Sequence, residues 1–295
     1  MKRYPKRPFS RPGILLSFLL LLQLPGHAAT TNLPTEESVP GGIVIVPIIS
    51  ADTDSPRPAV HFQTHRVMVV RSSSIPAQWL AIVGIPRSAN AGEYSIKIEH
   101  DKQHRTQQFR VESKLYPEQR IQITNKRLVN PEKRDMNRIT KESQIMKQAF
   151  TSWTESSNEM LRMDWPVSGP ISSPFGLTRF FNDQPRKPHS GIDIAAPKGA
   201  EIRAPRAGKV VATGNFFFNG NTVLVDHGQG LISLFCHLDN IETTNGAILE
   251  RGEKIGTVGQ TGRATGPHLH WSLNLNNVRI DPMLFLDEPL NTAEQ

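Results

Sequence analysis

Short apolar segments rich in β-branched and aromatic residues, each cut off by Gly, Pro, Ser or Asn, stand on both sides of a single helical stretch and commit the chain to a mainly β fold. Before that stretch lie 44–49, 66–71, 78–84, 93–98 and 107–111, with no helical period between them. That spacing predicts a small N-terminal β-sandwich over 39–112. After it, 208–213, 222–226, 231–238, 251–259 and 268–273 repeat the pattern between Gly-rich turns, predicting a second, all-β domain over 165–287. The stretch itself reads as a helical connector over 128–160. Asn130 is its expected N-cap, Pro131 its first helical residue and Glu132 a first-turn acid. Met136, Ile139, Met146, Phe150 and Trp153 recur at helical spacing behind them, before a polar hinge at 152–158.

The formal charge of +7 invites a nucleic-acid reading, but the charge is unevenly placed. Lys2, Arg3, Lys6, Arg7 and Arg11 stand in the first 28 residues with no acid among them, so 29 basic residues against 27 acidic ones remain. That is an ordinary surface, and no nucleic-acid partner is expected. The same segment runs from basic residues through the apolar stretch 13–24 to the small residues Gly26, Ala28 and Ala29. This is the order of a secretory signal peptide, expected over 1–28. The apolar run is too short for a membrane span, which takes about 20 residues. Cys236 is the sole cysteine, so a lipid anchor at the cleavage site and an intramolecular disulfide are both excluded.

Metal-competent side chains gather in the second domain in three groups: His189 with Asp193, His237, and His268 with His270. On a strand, residues i and i+2 share a face, so His268 and His270 project together. They can bind one metal jointly, or one can bind while the other works on substrate. The same alternation puts Cys236 opposite His237, facing the apolar interior as an inert thiol. His189 and Asp193 flank Gly191 in a turn that runs into a strand, where both can converge on one ion. Two neutral imidazoles and a carboxylate with an open fourth position make a hydrolytic zinc site. Two other pairs, His61 with His65 and His100 with His104, have the spacing of the helical zinc motif H-E-x-x-H. They lack its Glu and its helix, and read as surface histidines.

The order H-x-x-x-D, then a strand histidine, then H-x-H, with Pro174 to Gly176, Asp226 to Gly228 and Gly262 to His270 around it, resembles the M23 family of zinc metallopeptidases, the lysostaphin-like or LytM-type domains. The resemblance covers about 165–286. It implies zinc as cofactor, His189, Asp193 and His270 as metal ligands, and His237 and His268 as catalytic histidines. It also implies an endopeptidase acting on peptide bonds of bacterial peptidoglycan, in cross-links or stem peptides. Phe235 departs from the tyrosine many members carry, at a position with no metal or proton role. Asp226 and His227 read as turn-forming.

A non-catalytic LytM-type domain that activates a cell-wall amidase is the alternative; such domains lose ligands, and all five positions stand here. A zinc-bearing structural module is a third reading, but structural sites close all four positions with protein ligands. Export to the periplasm and a monomeric state are expected. The region 39–160 is either a spacer or folding partner or, in the sharper reading, a cover that contacts the active-site groove and holds the enzyme latent. Which peptidoglycan bond is cut is open at this level.

Overall fold

The computed structural model describes Met1 and residues 32–100, 103–156 and 160–287. The expected signal segment beyond Met1 and positions 157–158 of the expected hinge lie outside the described residues. Residues 103–104 and 99–100 close a hairpin in the N-terminal part, where strands β1 (Ile43–Ile49), β2 (Ala59–Phe62), β3 (His65–Arg66), β4 (Met68–Arg71), β5 (Gln78–Gly84), β6 (Gly92–His100) and β7 (Gln103–Val111) form two sheets, β1-β5-β4 and β3-β2-β6-β7. The expected sandwich is therefore present, with Val44, Val46, Ile48, Phe62, Ile96 and Phe109 in its core.

Strand β5 reads as a continuous apolar run because it is buried on both faces. Trp79, Ala81 and Val83 point into the sandwich, whereas Leu80 and Ile82 point the other way, into the core of the C-terminal part. Ile43, Met68 and Val70 join them there. The sheet β1-β5-β4 is thus a middle layer, each large side chain on its outer face contributing roughly 1.5–3 kcal/mol by burial. Asn276 fixes the junction, accepting from Gly84 N at 2.6 Å and donating to Gly84 O at 3.0 Å.

Beyond the sandwich come β8 (Glu118–Ile121), helix α1 (Lys133–Phe150), β9 (Ile171–Ser173), β10 (Thr178–Phe181), β11 (Gln184–Pro185) and β12 (Ile192–Ala195). They are followed by β13 (Glu201–Arg203), β14 (Gly208–Phe216), β15 (Gly220–Asp226), β16 (Ile232–Ile241), β17 (Ile248–Leu249), β18 (Lys254–Val258), β19 (His268–Leu275) and β20 (Val278–Ile280). The main sheet runs β17-β14-β15-β16-β19-β12-β9. Its central strand β19 is two-faced. Leu269, Trp271, Leu273 and Leu275 are fully buried in the large core, and His268, His270, Ser272 and Asn274 line the opposite face. Further along that second face, Leu224, Ile232, Leu234 and Cys236 pack with Ala149 of α1.

The helix differs from expectation at its start. It begins two residues later, with Glu132 as N-cap, because Asp135 reaches back to Glu132 N at 3.0 Å. Asp135 is buried through its ion pair with Arg127, while Met136 of the expected apolar stripe is exposed. Along the rest of the expected stripe Ile139 and Met146 are half-buried and Phe150 packs with Ala149 against the sheet, while Glu142 accepts from Phe217 N at 2.7 Å. Among the described residues no helix is long and apolar enough to cross a membrane.

Candidate metal centre

Strand register builds most of the site. Asp193 of β12 stands directly opposite His270 of β19, His270 opposite Cys236 of β16, and Asp193 opposite Ser173 of β9. Paired residues share a face, so these four side chains form one row across four strands. His189 precedes β12 and is pinned by backbone bonds, its N–H to Leu177 O and its carbonyl from Gly176 N, both 2.9 Å.

Three ligand-capable atoms meet in the row. His189 Nε2 is 3.0 Å from Asp193 Oδ1 and 3.0 Å from His270 Nδ1, and His270 Nδ1 is 2.7 Å from Asp193 Oδ1. Ligands about 2.0–2.1 Å from a tetrahedral zinc stand about 3.3 Å apart, a few tenths wider than this. The far edges of both rings are occupied. His189 Nδ1 donates to Pro174 O at 2.7 Å, and Ser272 Oγ sits 2.9 Å from His270 Nε2. With Nδ1 so engaged, His189 turns Nε2 to Asp193 Oδ1 and His270 Nδ1, and the Ser272 hydroxyl can donate to or accept from His270 Nε2, so the inner edges of both rings converge on one carboxylate oxygen. A cation resolves that convergence; two nitrogens and one oxygen suit zinc, whereas magnesium and calcium take oxygen ligands. All three residues are at most 8% exposed.

Burial works against the Asp193 charge, yet the hydrogen bonds and charge of His189 and His270 hold its carboxyl well below the usual range. Burial pushes His270 down to about 4, against the pull of Asp193. Arg179 Nη2 donates to Asp193 Oδ2 at 2.8 Å, so the two carboxylate oxygens face different partners.

The two remaining histidines arrive differently. His268 follows from simple alternation on β19, with Nδ1 donating to Gly266 O at 2.8 Å and Nε2 lying 3.9 Å from Asp193 Oδ1. His237 does not follow from alternation. Its φ is +66°, and opposite it the register of β15 slips, Val223 pairing with Phe235 and Asn221 with Leu238. His237 is the extra residue of a β-bulge, a left-handed conformation that costs a non-glycine of order 1 kcal/mol or more. The bulge turns its ring onto the face of His268, with ring centres 4.9 Å apart. Its Nδ1 donates to Thr261 O at 2.8 Å, and burial together with the charges of His268 and His270 pushes it down to about 3.

Cys236 faces an apolar interior, as expected, packed with Leu224, Ile232, Leu234 and Ala149, but the bulge keeps it from lying opposite the histidines. The thiol lies on the same sheet face as His270, not on the opposite one. It still stands apart from the three-residue cluster, accepting from Asn219 Nδ2 at 3.0 Å, and burial pushes it up to about 12. Asp226 and His227 do hold turns and packing. Asp226 Oδ1 accepts from Gly228 N at 2.8 Å, and buried His227 bonds Ala207 O at 2.9 Å.

Reading the sequence missed Ser173, Arg179, Gln119 and Ser272. Only Ser272 left a signal, as the next same-face residue after His268 and His270.

Comparison with known proteins bears on this arrangement in both halves. The family model "Peptidase family M23" matches residues 187–282, and "Peptidase family M23 N-terminal domain" matches 36–114. A crystal structure assigned to peptidase M23 from Pseudomonas aeruginosa is 38% identical, with a TM-score of 0.70, and the match covers 85% of this chain and 95% of that one. Among curated proteins, the DD-carboxypeptidase/endopeptidase Mpg of Neisseria meningitidis is 39% identical over 113 residues, 38% of this chain and 26% of the relative. The peptidoglycan DD-endopeptidase ShyB of Vibrio cholerae is 38% identical over 96 residues, 32% of this chain and 22% of the relative. The matches therefore span about a quarter of the length of these curated relatives.

Proposed function

The chain belongs to peptidase family M23, and from that premise we propose that it is an exported zinc endopeptidase that hydrolyses peptide bonds in bacterial peptidoglycan. The observation that carries the reading is the meeting of His189 Nε2, Asp193 Oδ1 and His270 Nδ1 within 3.0 Å of one another in a buried cluster. These three would hold a zinc ion, which supplies Lewis acidity toward a scissile carbonyl and lowers the pKa of a water. His237 and His268 do the proton work. Each gives Nδ1 to a backbone carbonyl, so each keeps Nε2 as a neutral acceptor for a proton from the attacking water. Once protonated, the same edge donates toward the oxygen that becomes negative. The substrate class rests on the name of ShyB, a peptidoglycan DD-endopeptidase, beside that of Mpg, a DD-carboxypeptidase/endopeptidase, and on the signal-peptide pattern of 1–28, which would deliver the enzyme to the periplasm.

We further propose that the segment 126–130 restrains the site. Leu128 O accepts from Arg263, on the loop that leads to His268, and Val129 O accepts from Arg186.

Digestion of purified sacculi by the zinc-loaded protein, followed by mass spectrometry of the fragments, tests the function. The expected result is newly freed peptide ends at cross-links or within stems, abolished by chelation. Zinc uptake with no cleavage, but stimulation of an amidase, would support the non-catalytic alternative.

A further inference from the structure

We propose that Gln119 and Arg179 are positioning residues of the metal centre: Gln119 locks the Arg179 guanidinium onto Asp193 Oδ2, leaving Oδ1 alone to face the ion. This rests on the zinc reading above and adds residues that lie outside both matched family segments, 36–114 and 187–282.

The arrangement begins with a strand pairing. As the chain leaves the sandwich, β8 runs parallel to β10, with Gln119 in register with Arg179. Arg179 Nε donates to Gln119 Oε1 at 2.8 Å. Its Nη2 donates to both Asp193 Oδ2 at 2.8 Å and Ser173 Oγ at 3.1 Å. Gln119 Nε2 closes the ring by donating to Ser173 Oγ at 3.1 Å, and the same hydroxyl lies 3.3 Å from His189 Nδ1. One glutamine therefore connects to two of the three ligand-bearing residues.

Geometry gives these contacts a consequence beyond packing. The Arg179 and Asp193 side chains are 15% and 11% exposed, so water is a poor substitute for either partner. A guanidinium is a planar fork, and fixing it at Nε sets the direction in which Nη2 points. Released from Gln119, the fork can swivel and Asp193 loses its hold on Oδ2. The carboxylate is then free to offer both oxygens to the ion, filling the position a hydrolytic site keeps open for water. Partners of this kind are typically worth about 10–100-fold in metal affinity or activity.

The test uses the full chain without 1–28, as wild type and as Arg179→Ala, Arg179→Lys, Gln119→Ala and Gln119→Met, the last keeping the shape of the side chain should the alanine variant fail to fold. Zinc affinity is measured by competition with a chromophoric chelator, and coordination by the visible spectrum of the Co²⁺-substituted protein. The expectation is a loss of zinc affinity of about 100-fold for Arg179→Ala and about 10-fold for the Gln119 variants. Arg179→Lys, which keeps the charge but not the fork, should fall between. The cobalt spectrum should change in the same order as the second carboxylate oxygen takes the place of water, and kcat should fall with KM little changed. Folded variants with wild-type zinc affinity and an unaltered cobalt spectrum would overturn this inference alone. A wild-type chain that takes up no zinc would overturn the proposed function, and this inference with it.

Discussion

Both β regions of the molecule carry closely spaced histidines, and only the C-terminal one gathers them. In the N-terminal hairpin of β2 and β3, His61 stands opposite Arg66 and His65 opposite Phe62. Adjacent residues of a strand face opposite ways, so the two rings lie on opposite sides of the sheet. The β6–β7 hairpin repeats this, with His100 opposite Gln103 and His104 opposite Glu99. A spacing of four that would unite two rings on a helix separates them across a hairpin tip. On β19 a spacing of two does the reverse, and the register adds Asp193 beside His270. Spacing acquires chemical meaning only once the local structure is known.

Removing convergence where it exists should have the largest effect. His270→Ala or Asp193→Ala is expected to abolish both zinc content, read by elemental analysis, and turnover of sacculi. Retention of zinc by either would break the contrast between the two regions. Next come His237→Ala and His268→Ala, expected to keep zinc and lose about 10²–10⁴-fold in kcat, the usual worth of a general acid–base group. Zinc loss in these two would move them from proton transfer to ligation. Cys236→Ala sharpens the comparison, since this thiol shares a face with His270. Zinc content and kcat should stay at wild-type values, with a stability cost of roughly 1 kcal/mol in a denaturant titration. The smallest effect belongs to the N-terminal pairs. Replacing His61, His65, His100 and His104 together with Asn should leave zinc stoichiometry unchanged and shift stability by no more than about 0.5 kcal/mol per site.

Alternation made much of this legible beforehand. The sandwich strands, the β domain and the shared face of His268 and His270 all follow from patterns of two and from turn residues. The buried, apolar setting of Cys236 was legible, but its place opposite His237 was not, because alternation assumes an unbroken strand and the bulge at His237 breaks it. The helix start was misplaced because Asp135 reaches Glu132, a tertiary choice assisted by Arg127, whereas Asn130 and Pro131 advertise an earlier one. Gln119 and Arg179 were invisible for another reason. A parallel pairing between β8 and β10, far apart in the chain, leaves no local trace.

The same pairing changes how the N-terminal half can be probed. An isolated 165–295 fragment would lose Gln119 and expose the core surface that Ile43, Met68, Val70, Leu80 and Ile82 cover. Its turnover would mix release of a restraint with damage to the metal centre. Single substitutions in the full chain keep the two apart.

Zinc K-edge X-ray absorption on the full chain without 1–28 tests the account most directly. It should report one zinc per chain, two imidazoles in its first coordination sphere, the remaining near neighbours oxygen, and no sulfur. A sulfur neighbour, or a folded protein that leaves zinc in solution, would contradict a centre built from His189, Asp193 and His270.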